Sequence, residues 1–255
     1  MTVSVGLLFP DLLGTYGDSG NAAVLAARLR WRGHDCEVVT VRSGDPVPTS
    51  CDIYVVGGGE DLPQAQAARQ LGAGRDDGAL QQAVDRGAVV FAVCAGQQII
   101  GRTFSGPDGL PTPGVGLLDC TTVAGEGRRM VGEIVVDPAP DLGLPVLTGY
   151  ENHAGVTRVG PSALPLGAVR RGWGNGGDSG TDGVRSGKVI GTYLHGPVLA
   201  RNPALADLLL SWVVGGLAPL DDAEIDDLRQ ERLRTVLAGG AGWRRRLGRR
   251  RMGRR

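Results

Sequence analysis

Three short apolar runs, over residues 3–9, 51–56 and 88–93, each stop abruptly at Pro, Gly or a small residue, and helical segments lie between them. A continuous apolar run of this length, bounded by turn residues, is the pattern of a strand buried on both faces. Residues 36–41 read as a further strand, and 22–31, 80–86 and 97–102 as helices. The order is strand, helix, strand, repeated, which predicts an α/β domain in three layers, with a mostly parallel sheet covered by helices on both faces. Residues 106–149 are rich in Gly and Pro between short apolar pieces such as 131–136, and read as antiparallel strands with loops. Residues 172–187 read as a flexible glycine-rich surface loop. Helices are expected over 204–214 and 225–237. We expect one domain over 1–216 and a helical, basic extension over 217–255.

An apolar content of 42% can fill the core of a domain in a chain of 255 residues. Lys plus Arg and Asp plus Glu both total 27, so net charge gives no argument for nucleic acid or anionic lipid as a partner. The charge is unevenly placed: 221–227 is acidic and 244–255 is Arg-rich. Cys36, Cys51, Cys94 and Cys120 form no C-x-x-C pair and have no His at zinc-ligand spacing, so neither a metal site nor a disulfide framework is expected. The start of the chain does not resemble a signal peptide, and no run reaches the roughly 20 apolar residues that span a bilayer. The expectation is a soluble, cytoplasmic protein.

The run over 88–93 ends at Cys94 and passes at once into Ala95-Gly96-Gln97-Gln98. A thiol on a sharp strand-to-helix turn projects from the sheet, and the backbone N–H groups that follow it point at whatever it attacks. A second apolar run over 189–194 ends at His195, a candidate base for a thiolate–imidazole pair. Gly57-Gly58-Gly59 follows a strand and sits at the same sheet edge, as either a tight turn or a set of oxyanion donors. No nucleotide-binding glycine pattern has the right flanks. His34 lies in a turn and is expected to be solvated.

Gly57-Gly58-Gly59, the C-x-G-x-Q pattern from Cys94 to Gln98, and Tyr193-Leu194-His195-Gly196 together resemble the class I glutamine amidotransferases, in their cobyric-acid-synthase-like branch. More narrowly, Phe9-Pro10-Asp11-Leu12-Leu13, Tyr16-Gly17-Asp18-x-Gly20-Asn21, Gly149-Tyr150-Glu151-Asn152-His153-Ala154-Gly155 and Gly191 to Pro197 are similar to the glutaminase subunits of lipid II isoglutaminyl synthases. The resemblance runs from about residue 3 to 202. It implies a flavodoxin-like fold, hydrolysis of L-glutamine, and delivery of ammonia to a separate Mur-ligase-like subunit of the MurT type. That heterodimer amidates the D-glutamate α-carboxyl of lipid II in peptidoglycan synthesis. Activating a carboxylate needs ATP and Mg, expected on the partner, and no cofactor is expected in this chain.

By the resemblance, Cys94 would form a γ-glutamyl thioester and His195 would activate the thiol and then protonate departing ammonia. The N–H of Ala95 and one from Gly58 or Gly59 would hold the oxyanion, and Gln98 would line the substrate site. An arginine for the glutamine α-carboxylate is expected in an R-x-x-G pattern, which Arg129 to Gly132 matches; Arg128 is one position off. His153 is expected to be structural or at the pocket rim. Two positions depart from the family. Many relatives carry a glutamate two residues after the histidine, where this chain has Pro197, so Glu151 or a carboxylate of the ligase must orient His195. Ala92 stands where many relatives carry Gly. Alternative readings are an ammonia donor for another amidoligase of the cobyrinate type, or a non-catalytic regulatory partner. The Arg-rich tail is either a solubilising tail or a peripheral contact with an anionic membrane.

Overall fold

The computed structural model describes residues 2–72 and 78–250, with side chains as far as residue 238. Its elements begin with β1 (Val3–Leu8), α1 (Gly20–Arg30), β2 (Cys36–Val41), β3 (Ile53–Val56), α2 (Asp61–Gln70), α3 (Ala79–Asp85), β4 (Val89–Val93) and α4 (Ala95–Ile100). There follow β5 (Thr103–Ser105), β6 (Pro111–Pro113), β7 (Cys120–Ala124), β8 (Met130–Pro138), β9 (Leu147–His153), β10 (Gly155–Val159) and β11 (Gly167–Arg171). The chain continues with β12 (Thr181–Asp182), β13 (Val184–Ser186), β14 (Val189–Thr192), α5 (Val198–Arg201), α6 (Pro203–Val214) and α7 (Ala223–Arg250).

The main sheet has the order β13-β14-β4-β3-β1-β2, parallel throughout except for the antiparallel edge strand β13. Parallel pairing brings the carboxyl ends of β1, β3, β4 and β14 to one edge, where the loops carrying Asp18, Gly58, Cys94 and His195 emerge. The strand period of two divides the core. Val89, Phe91 and Val93 of β4 pack with α1, α5 and α6 on one face, and Val90 and Ala92 pack with α2, α3 and α4 on the other. Two four-stranded sheets, β10-β7-β5-β6 and β12-β11-β8-β9, extend those two cores. The structure is thus a three-layer α/β arrangement.

α2 is absent from the sequence-based reading for a physical reason. Its buried side is made largely of Ala65, Ala67 and Ala68 rather than large apolar residues, so no strong period marks it. Pro63 falls in its first turn, where a missing N–H costs nothing.

The glycine-rich stretch is a correction. It is not loose surface chain: β12 and β13 lie within it, and the Trp173 and Gly174 N–H groups donate to the buried Glu151 carboxylate at 3.0 and 2.9 Å. Asn175 fixes its far side, donating to Thr181 Oγ1 and the Gly183 carbonyl.

The chain divides into two units, Met1–Leu220 and Asp221–Arg255. The first carries every strand described. The second carries α7, with Glu224 and Asp226 in the first turn, where acidic side chains complement the helix dipole. The Arg-rich side chains from 244 onward lie outside the described residues. Among the described residues no helix is long and apolar enough to cross a membrane.

Candidate active site

β4 is buried at every position and delivers Cys94 into a turn whose backbone sits at φ 53°, ψ −107°. A non-glycine residue at positive φ is strained, by about 1–3 kcal/mol, and persists only where its surroundings hold it. Here α4 starts immediately at Ala95, and Gly96 lets the turn approach β3 closely: a Cβ there would stand 2.5 Å from the Val56 carbonyl. Ala95 N–H belongs to a helical first turn and has no intrahelical acceptor. Ala92 is fully buried in the core without disturbing this turn.

His195 follows β14, and its backbone exchanges two hydrogen bonds with Tyr150, at 2.8 and 3.1 Å. Its side chain meets a residue outside every expectation drawn from the sequence. Asp18 Oδ2 lies 2.9 Å from His195 Nδ1, and both side chains are buried. A carboxylate can only accept, so Nδ1 carries the proton and Nε2 is turned to other work. Burial works to lower the His195 pKa, but the hydrogen bonds and charges of Asp18 and Cys94 outweigh it and push the group up to about 10. The imidazolium form is therefore favoured at neutral pH.

The loop carrying Asp18 is pinned to the segment after His195 along its length. The Tyr16 ring lies 4.7 Å from the His195 ring. A Cβ on Gly20 would stand 2.4 Å from Pro197 Cγ, so only glycine admits this approach. Asn21 Oδ1 accepts the Leu199 N–H at 3.0 Å.

Gly58 lies among the three chemical groups. A Cβ on it would be 2.8 Å from His195 Cε1, 3.0 Å from Asp18 Oδ2 and 3.4 Å from Cys94 Cβ. Its N–H donates to Asp18 Oδ2 at 3.0 Å, so in this state it is committed to the carboxylate rather than turned to an oxyanion. Gly59 and Ala95 are the remaining candidate donors. Gly57 is required for packing, since a Cβ there would stand 2.1 Å from the Leu13 carbonyl.

Arg129 reaches this mouth. Its Nε donates to Asn152 Oδ1 at 2.5 Å, and Nη2 donates to the Asn152 carbonyl at 3.2 Å and Tyr16 Oη at 3.3 Å. Tyr16 in turn touches His195, so Arg129 stands one side chain from that imidazole. Arg128 and Arg129 are both exposed. Gln98 sits deeper, where it accepts from Gln64 Nε2 at 2.8 Å and donates to Tyr193 Oη at 3.1 Å.

Glu151 is corrected as an orienting residue for His195: its oxygens accept from the Trp173 and Gly174 N–H groups and lie 3.8 Å from His153 Nε2. His153 is buried and stacked on the Tyr193 ring, so it is an interior residue. His34 is half-buried in its turn. The signal that could have found Asp18 was in the sequence, as a carboxylate in the loop after β1, at the same sheet edge as Cys94 and His195. Among the described residues no group of three or more His, Cys, Asp or Glu side chains is placed to hold a metal.

The arrangement can perform nucleophilic acyl transfer: a strained thiol, an oriented imidazole, a buried carboxylate behind it, and N–H donors beside it. Residues 4–203 match the model of the CobB/CobQ-like glutamine amidotransferase domain. Over 229 residues the chain is 31% identical to the lipid II isoglutaminyl synthase (glutamine-hydrolyzing) subunit GatD of Staphylococcus aureus, covering 89% of this chain and 91% of that one. It is 31% identical to the corresponding subunit of Streptococcus pneumoniae, covering 82% and 79%. Cobyric acid synthase of Rhizobium johnstonii is 34% identical over 71% of this chain but only 36% of its own length. Among solved structures, one described as a glutamine amidotransferase superposes with a TM-score of 0.56 at 22% identity, covering 82% of this chain and 98% of the other.

Proposed function

Because the chain belongs to the CobB/CobQ-like glutamine amidotransferase family, we propose that it is the glutaminase subunit of a lipid II isoglutaminyl synthase and that Cys94, His195 and Asp18 carry the hydrolysis. It is a glutamine-hydrolysing enzyme by family. The observation that carries the residue assignment is the convergence of Cys94, His195 and Asp18 on Gly58.

In this reading the Cys94 thiolate attacks the side-chain carbonyl carbon of glutamine while His195 is an imidazolium. The oxyanion is met by the N–H of Ala95 and of Gly59 or a released Gly58. As the C–N bond breaks, His195 gives its proton to the leaving nitrogen, forming ammonia and a thioester. Neutral His195 then takes a proton from water, whose oxygen attacks the thioester. Glutamate leaves and the thiolate returns. Asp18 acts through His195 as a positioning residue, holding Nδ1–H so that Nε2 alone exchanges protons. Arg129 binds the substrate α-carboxylate, and Gln98 lines the pocket floor.

The choice of lipid II over a cobyrinate-type product is supported by how far the likeness runs along this chain: over 89% of it for the Staphylococcus aureus GatD subunit and 71% for the Rhizobium johnstonii cobyric acid synthase. A separate Mur-ligase-like partner of the MurT type would hold ATP and Mg, since a carboxylate must be activated before ammonia displaces its oxygen. The test has two arms. The purified chain should release ammonia from L-glutamine, and Cys94→Ala should not. Added to its ligase with ATP, it should support glutamine-dependent amidation of lipid II; transfer to a corrinoid carboxylate instead would reverse the product assignment.

A further inference from the structure

A short polar bridge with opposite charges at its two ends stands beside the base. Tyr16 Oη donates to Glu60 Oε1 at 3.2 Å and accepts from Arg129 Nη2 at 3.3 Å. Burial, and after it the Glu60 charge, push the Tyr16 hydroxyl above its ordinary range, so at neutral pH it keeps the proton that it donates. The Glu60 carboxylate oxygen and the Arg129 nitrogen can be no farther apart than those two bonds laid end to end. The Tyr16 ring in the middle lies 4.7 Å from the His195 ring, which sets both charges near the reacting groups.

Glu60 is held in this place by its backbone. It follows Gly57-Gly58-Gly59, whose middle residue stands against Cys94 and His195, and its carbonyl accepts the Gln64 N–H at 2.9 Å at the start of α2. A polar side chain at a helix start ordinarily serves the helix by accepting a first-turn N–H. Glu60 occupies the N-cap of α2 without making such a bond, and its carboxylate turns to Tyr16 instead. Among the described residues Arg129 meets the neutral Asn152 and Tyr16, and Glu60 meets the neutral Tyr16. Both charged side chains are exposed, so both are open to a ligand.

A free amino acid presents the complementary pair. Its α-carbon carries an ammonium and a carboxylate, each of which bonds an opposite charge at about 2.7–2.9 Å. We propose that Glu60 receives the α-ammonium of glutamine, so that Glu60 and Arg129 hold the zwitterionic head from the two ends of the Tyr16 bridge while the side-chain amide reaches Cys94. The proposal rests on glutamine hydrolysis being the activity. It makes Glu60 a specificity residue: an amide that has the carboxylate but no free α-ammonium, such as a glutaminyl residue at the end of a peptide or the monoamide of a simple dicarboxylic acid, leaves the Glu60 charge unanswered. Glu60 takes no part in the bond-breaking steps, so its effect falls on binding and not on turnover.

The probe is glutaramate, which is glutamine without its α-amino group, compared with L-glutamine by ammonia release. Wild type should favour glutamine in kcat/KM by about tenfold or more, the scale of one hydrogen bond between charged groups. Glu60→Gln should raise KM for glutamine about tenfold with kcat within about twofold, and should leave KM for glutaramate unchanged. Arg129→Ala should raise KM for both amides. Tyr16→Phe removes the hydroxyl but keeps the carboxylate, and should retain the preference for glutamine. Glu60 is exposed and caps no N–H, so Glu60→Gln should melt as wild type does. An equal effect of Glu60→Gln on the two amides overturns the site. So does a preference lost as fully in Tyr16→Phe, which would make Glu60 a support for Tyr16. Glutamine hydrolysis with no preference over glutaramate sinks the site alone, and hydrolysis of neither amide sinks the functional reading and the site with it.

Discussion

Asp18 Oδ2 serves two donors at once, His195 Nδ1 and Gly58 N–H, while Asp18 Oδ1 is buried without a partner. Substituting Asn keeps the shape and removes the charge that raises the base. Asp18→Asn is expected to lower kcat by up to about 10⁴, the loss seen when a triad imidazole loses its orienting carboxylate, and to move the alkaline limb of the pH–rate profile downward from near pH 10. A profile unchanged in position would show that Asp18 does not set the His195 proton affinity. The same bond is a stability term. His195 is raised from 6.5 to about 10 in the folded chain, so its contribution is complete below pH 6.5 and fades as pH climbs through 10. The stability gap between wild type and Asp18→Asn should accordingly be wide at pH 6 and narrow at pH 10, as read by urea denaturation. At the mouth, Arg129→Ala is expected to raise KM for glutamine at least tenfold with kcat less affected, and Arg128→Ala to do little. Reversed effects would make Arg128 the ligand.

The loop between β1 and α1 is what turns separate strand ends into one site. Gly20 has ordinary backbone angles, so its identity is fixed by space alone: a methyl would meet the Pro197 ring at 2.4 Å. Gly20→Ala should push Asp18 off His195, and we expect kcat to fall more than tenfold with the far-UV spectrum unchanged; an unaltered kcat would mean the loop has slack. One layer away, α1 and α6 are joined by an ion pair whose Arg28 guanidinium is buried and whose Asp207 carboxylate is partly exposed. Arg28 Nε and Nη2 each lie 2.7 Å from an Asp207 oxygen, and Arg32 adds a third contact at 2.7 Å. Burial raises the Asp207 carboxyl, but hydrogen bonds from Arg28 and Arg32 overcome it, leaving the pKa below the usual carboxylate value. Removing the carboxylate takes two charge-assisted hydrogen bonds from a buried guanidinium, which costs about 3 kcal/mol. Asp207→Ala should lower Tm by on the order of 10 °C without changing the kinetics of glutamine hydrolysis.

At the scale of the molecule, the carboxylate behind the base comes from within the first unit. The isolated chain should therefore hydrolyse glutamine at a steady rate, and replacing acidic residues of a ligase partner should leave that rate unchanged. A rate that appears only with the partner, and vanishes with one partner carboxylate, would move the orienting role across the interface. The parallel sheet, the sharp turn at Cys94 and the placement of His195 beside it were legible from residues because each follows from a local pattern: an apolar run ending in Cys94, another ending near His195. α2 was not, because alanines bury too little surface to mark a period. Asp18 stood in the quoted Tyr16-to-Asn21 motif at the right sheet edge, but its pairing with His195 runs across 177 positions of sequence, a relation no local pattern encodes. The tethering of residues 172–187 was hidden likewise, since glycine content reports what the backbone is free to do and not what Glu151 does to it. The buried side-chain atoms left without partners among the described residues are Asp18 Oδ1, Asn21 Nδ2, Gln97 Oε1, Thr148 Oγ1, His153 Nε2 and His195 Nε2. Those of Asp18, Asn21 and His195 lie at the edge where the chemistry lies, where His195 Nε2 faces the Cys94 thiol, and a buried atom left unpaired costs roughly 1–3 kcal/mol. An evolving population screened for heat resistance alone would replace these residues first, and would reach its sturdiest descendants by abandoning the trade its ancestors practised.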